Sequence, residues 1–146
     1  MSRFFTHAQA ERLLPEVEAA IRDAIYLKHE HQQAEAALRE AMQRITMSGG
    51  ARVDSGKLAA VRQRQDQSAA GLQQAIETVH GFGCLVKDLD IGLIDFPTLF
   101  RGREVYLCWK LGETGIEFWH GIEEGFRGRK PIDRDFLDHH QGDSNN

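Results

Sequence analysis

Apolar residues recur at three- and four-residue steps from the start of the chain, through Leu14, Val17, Ile21 and Ala24 and again through Leu38, Met42 and Ile45. That rhythm predicts an amphipathic helix with one apolar stripe. Thr6-His7-Ala8-Gln9 has the T-x-x-Q form of a capping box, and Phe5 ahead of it suits a hydrophobic staple. Pro15 lacks the amide that a helix interior needs. The pattern therefore predicts a short first turn, then a longer helix with Pro15 near its first position. Ser48-Gly49-Gly50-Ala51 through Ser55-Gly56 reads as a turn. A second helix, from about Lys57 to Gly81, repeats the stripe with Leu58, Val61, Leu72, Ala75 and Val79.

Both stripes turn polar midway, at Lys28, His31 and Glu35 on the first helix and Gln65 and Ser68 on the second. Folding the helices back on each other sets Ile45 against Leu58, Met42 against Val61, Leu38 against Gln65, Glu35 against Ser68 and His31 against Leu72. The polar positions then share one zone. At 1.5 Å per residue the first helix spans roughly 45 Å, more than the small sheet that follows can cover. Two helices alone bury little of themselves. The stripe thus predicts packing on a second copy, a partner or the sheet; a solvated polar face is the plainer alternative.

Gly81-Phe82-Gly83 ends the helix as a glycine cap does, and the period then changes from helical to alternating. Segments 84–88, 92–100, 104–111 and 116–120 read as four short strands. Beyond Pro131 the string DRDFLDHHQGDSNN is polar and predicts a frayed tail. The fold class expected is α+β. A long antiparallel, coiled-coil-like helical hairpin (about 6–82) precedes a small, mainly antiparallel four-stranded sheet (about 84–132). Together they form a single domain over 1–132, with 133–146 as a flexible acidic tail.

Turn lengths suggest a register. Gly112-Glu113-Thr114-Gly115 as a four-residue loop sets Leu111 opposite Ile116, Trp109 opposite Phe118, Leu107 opposite His120, Lys110 opposite Glu117 and Cys108 opposite Trp119. The Lys110–Glu117 charge pair favours that choice. A two-residue Arg101-Gly102 turn sets Ile94 opposite Trp109, Asp95 opposite Cys108 and Phe96 opposite Leu107. Pro97 cannot donate to a ladder, so its strand should be an edge there or stop at Phe96. One face then carries Trp109, Phe118 and His120 with the apolar set. The other carries Asp95, Glu104, Tyr106, Cys108, Lys110, Glu117 and Trp119.

Composition narrows the function classes. The net charge is −4, with ten Lys/Arg and ten Asp/Glu in residues 1–83 and eight against twelve in 84–146. Neither half is basic, so binding to a nucleic-acid backbone is disfavoured. No apolar run is long enough to span a membrane, and the N-terminus lacks a secretory pattern. Cys84 and Cys108 lie in strand-like segments without C-x-x-C spacing, as reduced buried thiols of a cytoplasmic protein do.

The string Lys87-Asp88, Gly92-Leu93-Ile94-Asp95-Phe96-Pro97, Gly102-Arg103-Glu104-Val105, Leu107-Cys108-Trp109, Gly112-Glu113, Trp119-His120 and Gly125-Phe126-x-Gly128-Arg129 resembles a small bacterial family known only as a domain of unknown function. Its members begin with an F-T-x-x-x-A-x-x-L-L-P-E-V segment, matched here from Phe5 to Val17. The resemblance implies a helical front and a cytosolic bacterial setting. It implies no activity.

Candidate chemistry concentrates between Gly92 and Pro131. Cys108 beside Asp95 suggests a nucleophile, yet an aspartate neighbour raises a thiol pKa, and a buried structural cysteine is the plainer reading. His120, Glu123 and Glu124, with an H-x-x-E spacing, could join Asp95 or Glu113 as nitrogen and oxygen ligands of a metal, although a histidine capping the sheet end meets the same pattern. A ligand site on the polar sheet face would use Asp95 and Glu104 as anchors, Tyr106 and Trp119 as stacking walls near Cys108, and Arg129 as a clamp for a small anion. Arg129 tying its own segment over that face is the alternative. No cofactor is predicted. The leading expectation is a non-enzymatic binding or assembly module that forms a homo-oligomer, a dimer, through its hairpin. The other is a small-molecule or anion-binding protein, conceivably an enzyme, with its site on the polar sheet face.

Overall fold

The computed structural model describes residues 3–50 and 54–143. Helix α1 (His7–Met47) is one continuous helix of 41 residues. Its start is capped as expected: Thr6 Oγ1 accepts from Gln9 N at 3.1 Å, and Gln9 Oε1 accepts from Thr6 N at 2.9 Å. Phe5 and Ala10, either side of the cap, are both in the core. The expected break at Pro15 does not occur, and the helix runs through it. Pro15 itself is exposed, while Leu14 and Val17 beside it are held in the core. Burial outweighs the one lost hydrogen bond.

Helix α2 (Ser55–Gly81) starts on Asp54, whose carboxylate accepts from Lys57 N at 3.0 Å. Residues 51–53 of the expected turn lie outside the described residues. The polar zones meet as foreseen, but with His31 Nδ1 3.0 Å from Ser68 Oγ, where Leu72 was expected. The helices are therefore offset there by about one turn.

The sheet has six strands rather than four: β1 (Leu85–Asp88), β2 (Leu93–Phe100), β3 (Arg103–Lys110), β4 (Phe118–Gly121), β5 (Lys130–Pro131) and β6 (His140–Gln141). They lie in the order β1-β2-β3-β4-β5, all antiparallel, with β6 also on β2. Arg101 and Gly102 both have positive φ, 52° and 81°, which fits the tight two-residue turn between β2 and β3. That register is as read from the sequence, with Asp95 opposite Cys108 and Phe96 opposite Leu107. Strand β2 does not stop at Phe96. Pro97 falls in the gap between β1 and β6, where no donor is needed from it, and its carbonyl accepts from Phe5 N at 2.7 Å.

The β3–β4 register differs by one residue. Cys108 is opposite Phe118, Leu107 opposite Trp119 and Tyr106 opposite His120. The segment between leaves the ladder because other groups take its hydrogen bonds. Glu113 accepts from Lys110 N at 2.8 Å through its carboxylate and from the Trp109 indole at 3.0 Å through its carbonyl. Glu11 of α1 takes Ile116 N at 3.0 Å, and His7 Nε2 lies 2.8 Å from Ile116 O. Glu117 O accepts from Ile132 N, and the β3–β4 ladder ends at Cys108 and Phe118 without the Lys110–Glu117 pairing. A one-residue slip exchanges faces. Trp119 therefore joins the core side, and Phe118 and His120 join the polar side.

The N-terminal half of α1 covers the apolar face, where Val17 and Ile21 join Ile94, Phe96, Leu107 and Trp109. Residues 133–143 complete that layer, contrary to the expected frayed tail. Asp133 caps helix α3 (Arg134–His139), accepting from Phe136 N at 2.9 Å. Phe136 is fully buried against Phe100 and Trp119, with ring centroids 4.9 Å away in each case. The segment is polar by composition, but one aromatic and one strand pair suffice to dock it. Its end also lies on the start of α1: Asp143 N donates to Phe4 O at 2.9 Å.

Candidate functional site

The slipped register builds a site that the sequence reading had taken apart. Asp95 and Cys108 face each other across β2 and β3, and His120 reaches in diagonally from β4. Their exposures are 1%, 0% and 3%. The carboxylate, thiol and imidazole ligand atoms all lie within 4.8 Å of one another. His120 Nδ1 is 2.8 Å from Gly121 O, a group that only accepts, so Nδ1 carries a proton. Nε2 is then left facing Asp95 Oδ1 at 3.0 Å. Asp95 Oδ2 is buried without a hydrogen-bond partner.

Burial pushes the Asp95 carboxyl above its usual range, and the His120 charge and hydrogen bond oppose that shift. Burial likewise drives the Cys108 thiol up to about 12, and the Asp95 charge adds to it. Cys84 is held near 12 by burial as well. Among the described residues no hydrogen bond joins Cys108 to His120, so the imidazole does not prepare a thiolate. That geometry disfavours thiol nucleophile chemistry. At pH 8 the folded protein is expected to leave both cysteines unmodified by iodoacetamide over minutes, and to expose both in denaturant. Rapid labelling of Cys108 in the native state would contradict this placement.

The remaining candidates separate. Tyr106 is buried on the same face, its ring centroid 5.6 Å from that of His120 and 5.1 Å from Lys87 Nζ. Glu104 sits one turn-ward step along β3 at partial exposure, close enough to raise the Tyr106 phenol together with burial. Trp119 is not a wall of this site; it packs against Phe100 and Phe136, with Lys130 over its ring at 4.7 Å. Glu123 is exposed and outside the cluster. Arg129 grips Glu113 with two hydrogen bonds of 3.1 and 3.0 Å and lies over Phe118 and Phe126 at 4.1 and 4.4 Å. It thus ties its own segment over the polar face, and its guanidinium is committed to Glu113.

The sequence reading named Asp95 and Cys108 and saw them as cross-strand neighbours. It named His120 as a residue that could join Asp95 on a metal, but its register set His120 on the opposite face from Asp95 and Cys108. The signal present was Glu113, whose position in a short turn next to Lys110 could cap the strand and shift the ladder.

The family described as Uncharacterized conserved protein (DUF2203) matches residues 3–132. The chain belongs to that family. The match spans both long helices, β1 through β5 and all three members of the buried cluster, and ends before α3. No curated protein and no solved structure matches. No helix among the described residues is long and apolar enough to cross a membrane.

Proposed function

We propose that this DUF2203 chain is a non-enzymatic assembly module of the bacterial cytoplasm, in which two copies associate through the outer halves of their hairpins. One observation carries the reading. Between Ala34 in α1 and Ala75 in α2 no described side chain is buried, although Leu38, Ile45, Leu58, Val61 and Leu72 line the seam there. Water-exposed two-helix pairs of this kind gain little stability from each other, because most helical stability in proteins comes from covering an apolar face. A second hairpin laid across the first makes a four-helix arrangement that covers the stripe. Glu35, Glu40, Asp54 and Asp66 are interspersed among the basic residues of this stretch, which offers acids and bases to pair across a copy.

The test is light scattering on the wild-type chain and on a Leu38→Glu/Val61→Glu variant. The expected result is a dimer for the wild type at tens of micromolar and a monomer with unchanged sheet signals for the variant. A compact wild-type monomer at high concentration would defeat the proposal.

A further inference from the structure

We propose that Asp95, Cys108 and His120 form a binding site for a divalent transition metal ion, with Zn(II) the best match to the donor set. Three adjacent strands deliver one carboxylate oxygen, one thiol sulfur and one imidazole nitrogen to a common point, all within 4.8 Å of one another. A borderline ion accepts that mixture of oxygen, sulfur and nitrogen, whereas Mg(II) and Ca(II) take oxygen alone.

Two details point to a ligand rather than to a self-contained polar network. First, Asp95 Oδ2 is an orphan acceptor in the protein interior. Buried polar atoms are almost always partnered, and a coordinated cation supplies the missing partner. Second, the His120 Nδ1–H donates to the backbone carbonyl of Gly121, which fixes the ring with its Nε2 towards the cluster, 3.0 Å from Asp95 Oδ1. That backbone brace is how metal-ligating histidines are usually held.

Charge supports the same assignment. One thiolate and one carboxylate carry two negative charges, which a divalent ion with a neutral imidazole balances in a place that excludes water. Binding replaces the sulfur–hydrogen bond of Cys108 with a sulfur–metal bond and releases the proton to solvent. Arg129, whose charge favours the thiolate of Cys108, is itself paired with Glu113 through two hydrogen bonds.

The experiment is Co(II) titration of the full chain, carried out on the Cys84→Ser variant so that Cys108 is the one thiol. The expected result is a near-ultraviolet thiolate-to-Co(II) charge-transfer band with one equivalent bound, displaced by Zn(II). Asp95→Ala and His120→Ala should weaken Co(II) binding at least tenfold, and adding Cys108→Ser should abolish the charge-transfer band. Should any of these variants fail to fold, the Cys84→Ser spectrum decides alone. No charge-transfer band, and no rise in melting temperature with equimolar Zn(II), would overturn the proposal.

Discussion

Phe136→Ala is expected to destabilise the protein by about 3–5 kcal/mol, the range for removing a fully buried aromatic ring. Phe136 is 1% exposed and meets three rings: Phe100 and Trp119 at 4.9 Å and His140 at 5.3 Å. Helix α3 has six residues, far too few to persist without that anchor. Its loss should release β6 from β2 and uncover Trp119, shifting part of the tryptophan emission to longer wavelength. Phe136→Leu keeps an apolar side chain in place and should cost roughly half as much. Urea unfolding followed by fluorescence measures both. A Phe136→Ala midpoint equal to that of the wild type would mean that residues 134–141 do not pack on the sheet.

His120→Ala should cost a similar amount, about 3–5 kcal/mol, because it removes the hydrogen-bonding partner of a buried carboxyl group and strands that group. Asp95 would then hold two unpartnered oxygens at 1% exposure, one of them already so in the native chain. Asp95→Asn distinguishes this from simple loss of packing. An amide at that position can still donate to His120 Nε2 and carries no charge, so its cost should be only about 1 kcal/mol. Both measurements belong in a chelating buffer, where only the contacts within the chain contribute. Equal costs for the two variants would mean that the charge of Asp95 is not what the imidazole serves.

Where periodicity and tight turns controlled structure, the sequence was sufficient. The two long helices, apart from the continuity of the first through Pro15, the capping box at Thr6 and the β2–β3 register across Arg101-Gly102 follow from local patterns. Misreadings arose where distant groups compete for backbone hydrogen bonds. Glu11 and His7, more than a hundred residues from Ile116, draw it out of the ladder, and Glu113 caps Lys110. No spacing rule carries that information, yet it moves His120 to Asp95 and Trp119 to the core. The tail shows the same limit on a smaller scale. A lone Phe136 in a polar run has no period, and its burial depends on a slot between Phe100 and Trp119 that exists only once β4 has slipped. The site was therefore half legible: Asp95 and Cys108 came from a correct local turn, and His120 required the tertiary contacts.

The outer half of the hairpin has an apolar seam and, among the described residues, no buried side chain. Amide hydrogen exchange read by mass spectrometry at two protein concentrations tests assembly through it directly. At high concentration, peptides from 35–47 and 55–74 should be protected nearly as well as those from the covered start of α1. On dilution below the dimer range they alone should exchange faster. Fast exchange of the outer hairpin at both concentrations would contradict assembly through these helices.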